Sequence, residues 1–296
     1  MAKRLVALVL AVVLTASLAA PAAAGAVRFN GGSFKWTSLL TALQNTSDGA
    51  VTAAFVIKRA VDDANFHGLG YLLSSTGNGV TEFGLSIEGS TNQDSLLADI
   101  NGESVLRGNT PTQPTITGTI ESYFLVISKA AGTSAITFSV YPKSVATWTH
   151  VTSNNTLGNQ TAATMLELGA WQTGDLFNGW MAVAAFWEGE MSQANKEALV
   201  TNWRTSDLWT SAHGQPTFLT ELNTATPTDL AGNASSRTTT GSAPTLDAAE
   251  TMAGWNFDGT GGGGGFVPRR RSLLGVGNRV RRRRRALPLM PERRAA

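Results

Sequence analysis

Acidic side chains are the groups in this sequence whose spacing could support catalysis. A retaining glycosidase needs two carboxyl groups only about 5 Å apart, and three pairs of acids lie close together along the chain. These pairs are Asp62 with Asp63, Asp99 with Glu103, and Glu188 with Glu190. Glu188 and Glu190 fall on one side of an extended strand, but Gly189 puts them at its end. Because acid pairs are common at surfaces and a catalytic pair needs a perturbed environment, the sequence favours solvated acids in turns.

The three histidines, His67, His150 and His213, do not follow a metal-binding pattern. The sequence contains no His-x-x-x-His or His-Glu-x-x-His, the spacing that places two imidazoles on one metal. It also contains no Gly-x-Ser-x-Gly turn, which presents the serine nucleophile of many hydrolases. A Ser-His-Asp site stays open, because its members come from distant segments. The alternative is that each histidine is a surface loop residue.

The composition and charge of the chain separate an acidic part from a basic tail. No cysteine is present, so disulfides and thiolate metal sites are excluded. Residues 268–296 hold 11 of the 23 basic residues and one of the 21 acidic residues, a net charge of +10. Residues 1–267 hold the other 12 basic and 20 acidic residues, a net charge of −8. The basic sequence pI therefore reflects the tail.

The first 24 residues have the pattern of a secretory signal peptide. Lys3 and Arg4 precede an apolar run from 5 to 20, and Ala22-Ala23-Ala24 offers a small-residue cleavage site. The alternative is an uncleaved anchor, but the run is shorter than the roughly 20 residues of a membrane span. We therefore expect a secreted chain with no stable membrane span after cleavage of the leader.

Short alternating strands must position any site in this chain. Apolar residues recur at every second position in four segments, and Gly- or Asn-rich turns separate them. The buried sides are predicted to carry Val51, Ala53, Phe55 and Ile57; Phe83, Leu85 and Ile87; Tyr123, Leu125 and Ile127; and Ile136, Phe138 and Val140. One helix is predicted at about 192–203, capped by Ser192. This pattern predicts two packed antiparallel sheets.

Composition also divides the chain into four segments. After the signal peptide (1–24) we predict one domain over residues 25–212. Residues 213–267 are rich in Thr, Ser, Gly and Pro and are predicted to be a linker. Residues 268–296 form an arginine-rich tail with too few apolar residues to fold alone.

Two segments of the predicted domain resemble laminin-G-like jelly rolls of the concanavalin A-like type. The first is Val27-Arg28-Phe29-Asn30-Gly31-Gly32, which looks like the opening strand and turn of that family. The second is the order LELG, FNGWMAVAAFW and EMSQANKEALVTNW between 166 and 203, which looks like its closing strands and helix. The resemblance implies an all-β sandwich with a short helix near the end of the domain. It is specific for fold and weak for activity, because jelly rolls host lectins, hydrolases and structural modules.

The resemblance also implies where catalysis and calcium binding would lie. Glucanases of the concanavalin type take their carboxylates from a Glu-x-Asp-x-x-Glu strand, and this sequence contains none, so we expect no enzymatic activity. Many laminin-G-like and pentraxin-like domains bind calcium through loop carboxylates at the rim of the sandwich. Asp175 is the first candidate ligand here, followed by Asp94 and Asp99. The alternative is that each aspartate forms a turn by bonding to its own backbone.

Exposed aromatic rings are the candidates for sugar binding, because sugar C–H groups pack on a ring while hydroxyls reach polar neighbours. Trp148 and Trp171 lie in polar, turn-like contexts, and we expect them, with Asn178, to contact a ligand. Trp180, Trp187 and Trp203 lie in the predicted core strand and helix, where packing is the expected role.

These observations predict a non-catalytic recognition module, on the cell exterior or a virion surface, that binds a glycan or another surface polymer. Similar domains occur in minor tail proteins of phages, so a structural or assembly protein without a glycan ligand is an alternative. A secreted glycoside hydrolase of the same fold is another. The tail residues Arg281, Arg282, Arg283, Arg284 and Arg285 would contact polyanions.

Overall fold

The structure is a computed structural model. It describes residues 25–39, 49–61, 65–73, 81–88, 95–100, 103–105, 116, 121–157, 163–171, 175–202, 216–232 and 234–250. By its internal contacts the chain divides into Met1–Phe266 and Val267–Ala296, and every described residue belongs to the first unit. The predicted signal peptide and arginine-rich tail lie outside the described residues and stay predictions.

The first of two β-sheets contains eight strands within the described part of the chain. They are β1 (Ala26–Asn30), β3 (Val51–Arg59), β8 (Ser122–Lys129), β9 (Ser134–Pro142), β10 (Thr149–Leu157), β14 (Asn178–Glu188), β15 (Phe218–Glu221) and β17 (Thr245–Asp247). Their order is β10-β9-β8-β3-β14-β1-β17. Strand β1 pairs with residues 178–181 of β14, and β15 pairs with residues 183–186. Both therefore lie along the same side of β14.

The second sheet contains nine strands of the described segments. They are β2 (Gly32–Leu39), β4 (His67–Leu73), β5 (Thr81–Glu88), β6 (Ser95–Ile100), β7 (Glu103–Val105), β11 (Met165–Leu168), β12 (Ala170–Trp171), β13 (Asp175–Leu176) and β16 (Ala234–Gly241). Their order is β16-β2-β11-β4-β5-β6-β7, and β12 pairs with β13. Among the described strands only β13 runs parallel to a neighbour, where Leu176 lies opposite Gly68 of β4.

Apolar side chains of both sheets fill the space between them. Every residue predicted on a buried face of β3, β5, β8 or β9 belongs to this core. Aromatic rings meet edge to face across it, as Trp36 of β2 and Phe218 of β15 do at a centroid distance of 5.0 Å. The prediction of an all-β sandwich of two antiparallel sheets is therefore confirmed.

A second apolar cluster covers the outer face of the first sheet. It includes Val126, Ala182 and Trp187, together with Leu199 of helix α1 (Gln193–Asn202). Ser192 caps this helix as predicted, because its Oγ accepts a bond of 3.3 Å from the backbone N–H of Asn195. No helix in the segments that the structure describes has both the length and the apolar character needed to cross a bilayer.

Two chain corners lie side by side where the chain passes between the sheets. The first, at Gly31 and Gly32, joins β1 to β2, and the second, at Gly241 and Ser242, joins β16 to β17. The N–H of Ser242 donates to the carbonyl of Gly31 at 3.0 Å. A Cβ atom on Gly32 would lie 1.8 Å from the backbone oxygen of Ser242. Glycine is required because the two backbones touch.

The predicted linker over 213–267 needs correction, because residues 216–250 contribute three strands. Phe218 of β15 is buried and packs on Trp36 and Phe186, with centroid distances of 5.0 and 6.0 Å. Strands β16 and β17 form one edge of each sheet. The threonine-rich sequence of β16 lacks an alternating apolar pattern, since an edge strand buries few side chains. Its backbone pairing depends on β2, which composition does not reveal.

The corner predicts a steric cost for Gly32→Ala. We expect the free energy of unfolding to fall by about 3 kcal/mol, because the new methyl group meets a backbone atom and overpacking of this kind forces backbone shifts. Gly132 is a control, since its φ is +72° but no atom lies within 4 Å of a Cβ built there. Gly132→Ala should cost only about 1 kcal/mol of left-handed strain. If urea unfolding shows the same loss of unfolding free energy for Gly32→Ala and Gly132→Ala, the steric explanation is wrong.

Removal of β15–β17 should prevent stable folding. Truncation of a buried Phe such as Phe218 to Ala alone costs about 3–5 kcal/mol, while whole domains are stable by about 5–15 kcal/mol. A chain that ends at residue 212 should therefore lack a cooperative thermal transition, whereas a chain that ends at residue 250 should keep it. Equal melting temperatures would show that residues 213–250 act as a linker after all.

Candidate functional site

A row of polar side chains crosses the outer face of the second sheet. Lys35, Glu167, Tyr71, Gly84 and Asp99 are successive register partners on β2, β11, β4, β5 and β6. Their chain neighbours, such as Leu166, Leu72 and Phe83, belong to the core between the sheets. Because side chains alternate along a strand, the row faces away from that core. The two sheets thus differ, since the first carries apolar residues on its outer face.

Most of this row is removed from solvent. Tyr71 and Asp99 are each 1% exposed and Glu167 is 7% exposed. The hydroxyl of Ser33 donates to Oε1 of Glu167. Burial of polar groups costs free energy unless they are hydrogen-bonded, and apolar side chains would fill the same positions without that cost. Chemical use of these groups is therefore worth testing.

The Tyr71 cluster is defined as Tyr71, the three residues that act on the pKa of its phenol (Ser86, Asp99 and Asp175), and His67, which acts on the pKa of Asp175. Burial raises the pKa of the Tyr71 phenol well above its usual value, and the charges of Asp99 and Asp175 act in the same direction. The Ser86 hydroxyl beside it acts in the opposite direction. The phenol consequently keeps its proton across the physiological range.

Asp175 is the accessible member of the cluster. It lies in β13 and is half-buried, and partial burial raises the pKa of its carboxyl group while His67 opposes that shift. His67 is held by a contact of 3.1 Å between its Nδ1 and the carbonyl oxygen of Leu176. At the neighbouring row position, Gly84 supplies no side chain between Tyr71 and Asp99. Carboxylates, a phenol and a hydroxyl together suit a ligand rich in hydroxyl groups.

Two of the candidate ligand residues that the sequence predicts belong to this cluster. Asp175 and Asp99 lie 76 positions apart in the chain, yet both act on the Tyr71 phenol. Trp171 is the register partner of Asp175 in the β12–β13 pair, although its side chain is outside the description. Asp94 also lies outside the described residues. The roles of Asp175, Asp99, Asp94 and Trp171 stay predictions.

The other two candidates, Trp148 and Asn178, lie on the first sheet. Trp148 packs against Phe124 and Tyr141, with centroid distances of 5.9 and 5.3 Å, and stacks on the ring of His150 at 5.6 Å. One face of its indole is thus covered. Oδ1 of Asn178 accepts a bond of 2.7 Å from Nη2 of Arg28, which ties β14 to β1.

The described residues alone do not provide a calcium site. No group of three or more His, Asp or Glu side chains in the described segments is arranged to hold a metal ion. Calcium prefers six to eight oxygen ligands with several carboxylates, and the Tyr71 cluster supplies two. Calcium binding therefore stays a prediction that depends on residues such as Asp94.

A Ser-His-Glu chain joins β9, β10 and helix α1. His150 lies 2.9 Å from the Ser139 hydroxyl through Nδ1 and 3.2 Å from Glu197 through Nε2. The order of groups resembles a nucleophile with its base and orienting acid. Ser139 is fully buried, however, and a nucleophile must reach its substrate. In the described arrangement these contacts fasten the edge strand β10 to the helix.

Tyr71, Ser86 and Glu167 are not among the site residues that the sequence predicts. Ser86 and Glu167 lie at non-core positions of alternating strands, so parity predicts that they point outward. Tyr71 lies in the apolar strand β4 and has the pattern of a core residue. Parity along one strand does not say which strands are neighbours, and the row exists only because β11, β4 and β5 are adjacent. The order of strands was the missing information.

Comparisons with known proteins identify similar folds only. No protein-family model matches the chain, and no curated protein matches it. Among solved structures it is similar to a SAP-like pentraxin from Limulus polyphemus, with 14% identity and a TM-score of 0.43 over 61% of this chain and 83% of that chain. A Bacteroides ovatus protein to which carbohydrate binding is ascribed shows 14% identity and a TM-score of 0.45 over 75% and 61%. At these identities the likeness concerns the fold alone.

The prediction that the chain is not an enzyme is corrected by the same comparison. The enzymatically active domain of bacteriophage CBA120 tailspike protein 2 matches with 13% identity and a TM-score of 0.44, over 67% of this chain and 30% of that chain. A Trypanosoma rangeli sialidase matches with 12% identity and a TM-score of 0.35, over 51% and 22%. The missing Glu-x-Asp-x-x-Glu pattern rules out one arrangement of carboxylates, and other enzymes need not use it.

The environment of Tyr71 predicts a late ionisation in alkaline titration. The chain has three tyrosines, and in urea all three should ionise to phenolate at about pH 10. In the native protein the phenolate absorbance of Tyr71 should appear only when the protein unfolds, because burial opposes the charged form of its side chain. Phenolate absorbance of the wild type and of Tyr71→Phe checks this. If Tyr71→Phe leaves the late phase unchanged, the assignment is wrong.

Proposed function

We propose that this protein is a recognition module outside the cell or on a virion surface, and that it binds a glycan or another hydroxyl-rich surface polymer. The observation that carries the proposal is the half-buried carboxylate of Asp175, whose charge acts on the buried phenol of Tyr71. A carboxylate can accept two sugar hydroxyls at once, and such bonds are stronger than neutral ones.

The groups behind Asp175 support the same ligand chemistry. Tyr71, Ser86 and Asp99 are buried, so their part in the proposal is to position Asp175 and His67. A protonated phenol also adds no further negative charge beside the two carboxylates. Trp171, the register partner of Asp175, would supply an aromatic surface of the kind on which sugar rings pack. Polar groups beside an aromatic residue are typical of small-ligand sites.

Calcium and secretion are further parts of the proposal. Calcium would join Asp175 and Asp99 to Asp94, so that the ion and the glycan share one rim. The signal-like sequence over 1–24 supports export. The tail arginines Arg281–Arg285 would add a contact with polyanions, which should weaken steeply as salt rises.

The test measures binding of the full chain to a panel of glycans and cell-wall polymers, with calcium and with EDTA. Loss of a charged hydrogen bond costs about 1.5–3 kcal/mol, so Asp175→Asn should bind roughly tenfold more weakly or worse. Glu190→Gln is the matched control, because Glu190 is an exposed acid before helix α1 on the other side of the fold. It should bind like the wild type.

Each other outcome has a distinct meaning. Equal binding by wild type and Asp175→Asn would contradict the proposed site. Binding that only high salt abolishes would assign recognition to the tail, and binding unchanged by EDTA would remove calcium from the proposal. New reducing ends in the bound glycan would identify a hydrolase.

A further inference from the structure

Arg237 is a positive charge at the edge of the sandwich that the proposed function does not use. It lies in β16, the edge strand of the second sheet, as the register partner of Trp36 in β2. Its guanidinium carbon lies 4.5 Å from the centroid of the Phe34 ring. Arginine stacks on an aromatic face in this way through a cation–π contact. The side chain is therefore folded against the second sheet instead of extending freely into solvent.

A strained residue lies directly before Arg237 in the chain. The β16–β2 register is constant, with Ser235 opposite Ser38 and Arg237 opposite Trp36, so Ser236 lies opposite Thr37. Ser236 has a φ of 57°, which side chains other than glycine rarely adopt. The Thr37 hydroxyl donates to the Ser236 carbonyl at 3.1 Å across this pair. A strained residue at such a place is a reason to look for function.

The charge of Arg237 lacks a compensating acid in the part of the chain that the structure describes. Its Nη1 is shielded from solvent and has no hydrogen-bond partner. Burial lowers the pKa of Arg237, and no carboxylate opposes that shift. Arg28 differs, since Asp247 opposes the same effect there and Asn178 accepts from its Nη2. A guanidinium with one shielded, unused donor costs free energy that a bound anion would recover.

We propose that Arg237 is the anchor of a binding site for an oxyanion, the carboxylate or sulfate group of a ligand. The guanidinium is planar and presents paired donors, which match the two oxygens of such a group. Arg237 as a whole is partly exposed, so the anion reaches it from solvent at the sheet edge. This site is separate from the Tyr71 cluster, and either stands without the other.

The anion has two sources with the same chemistry, a free inorganic ion or an acidic substituent on a saccharide. The experiment follows the Arg237 Nε–H signal of the full chain by NMR at constant ionic strength. Sodium sulfate is one probe and a galacturonic acid trimer is the other, with sodium chloride as the reference. The arginine-rich tail would bind the same anions, so the readout is the assigned Arg237 signal and not total binding. Arg237→Lys provides the assignment, because it removes that signal.

The expected result is a saturable shift of the Arg237 signal, with no saturable shift of Arg28, whose guanidinium already has partners. A shift with both probes identifies a general oxyanion site, and a shift with the trimer alone identifies an acidic saccharide site. Both results support the proposal. No saturable shift with either probe, or parallel shifts at Arg28 and Arg237, would overturn it and leave Arg237 as a residue that covers Phe34. The comparison within one wild-type sample does not depend on whether a variant folds.

Discussion

The close contact between two chain corners is the constraint on which the rest of this structure depends. At one sheet edge, the corner at Gly31–Gly32 and the corner at Gly241–Ser242 touch through their backbones. The first sends the chain from β1 to β2, and the second sends it from β16 to β17. The contact therefore brings β1 and β2, from the start of the domain, beside β17 and β16, from its end. The stacking of the sheets follows from this junction.

The stacking gives the two sheets different outer faces. Helix α1 and the residues around it cover the first sheet with apolar contacts, so that face contributes to stability. The second sheet carries the polar row from Lys35 to Asp99 on its outer face. Groups that bind or react must be polar and must be held in place. The rigid strands of the second sheet meet both conditions, which is why the Tyr71 cluster is the candidate site.

Local patterns explain why part of this site could be predicted. Asp175 and Asp99 were selected because aspartates near turns are able to bind cations, and both do lie at the Tyr71 cluster. Tyr71 was not selected, because a tyrosine in an apolar strand has the pattern of a core residue. Arg237 was not selected either, since its place beside Phe34 depends on the pairing of β16 with β2, which composition does not indicate. In both cases the missing information was the identity of the neighbouring strand.

The sequence by itself determined the class of fold, the buried faces of four strands and the capped helix, because these depend on periods of two and 3.6 residues within one segment. It also determined the absence of disulfides and the separation of charge between residues 1–267 and the tail. Only the tertiary structure decided that residues 216–250 belong to the sandwich and that Asp99 and Asp175 meet at one phenol. These facts depend on pairing between strands that are distant in the chain. Side-chain alternation along a single strand does not indicate which strand pairs with it.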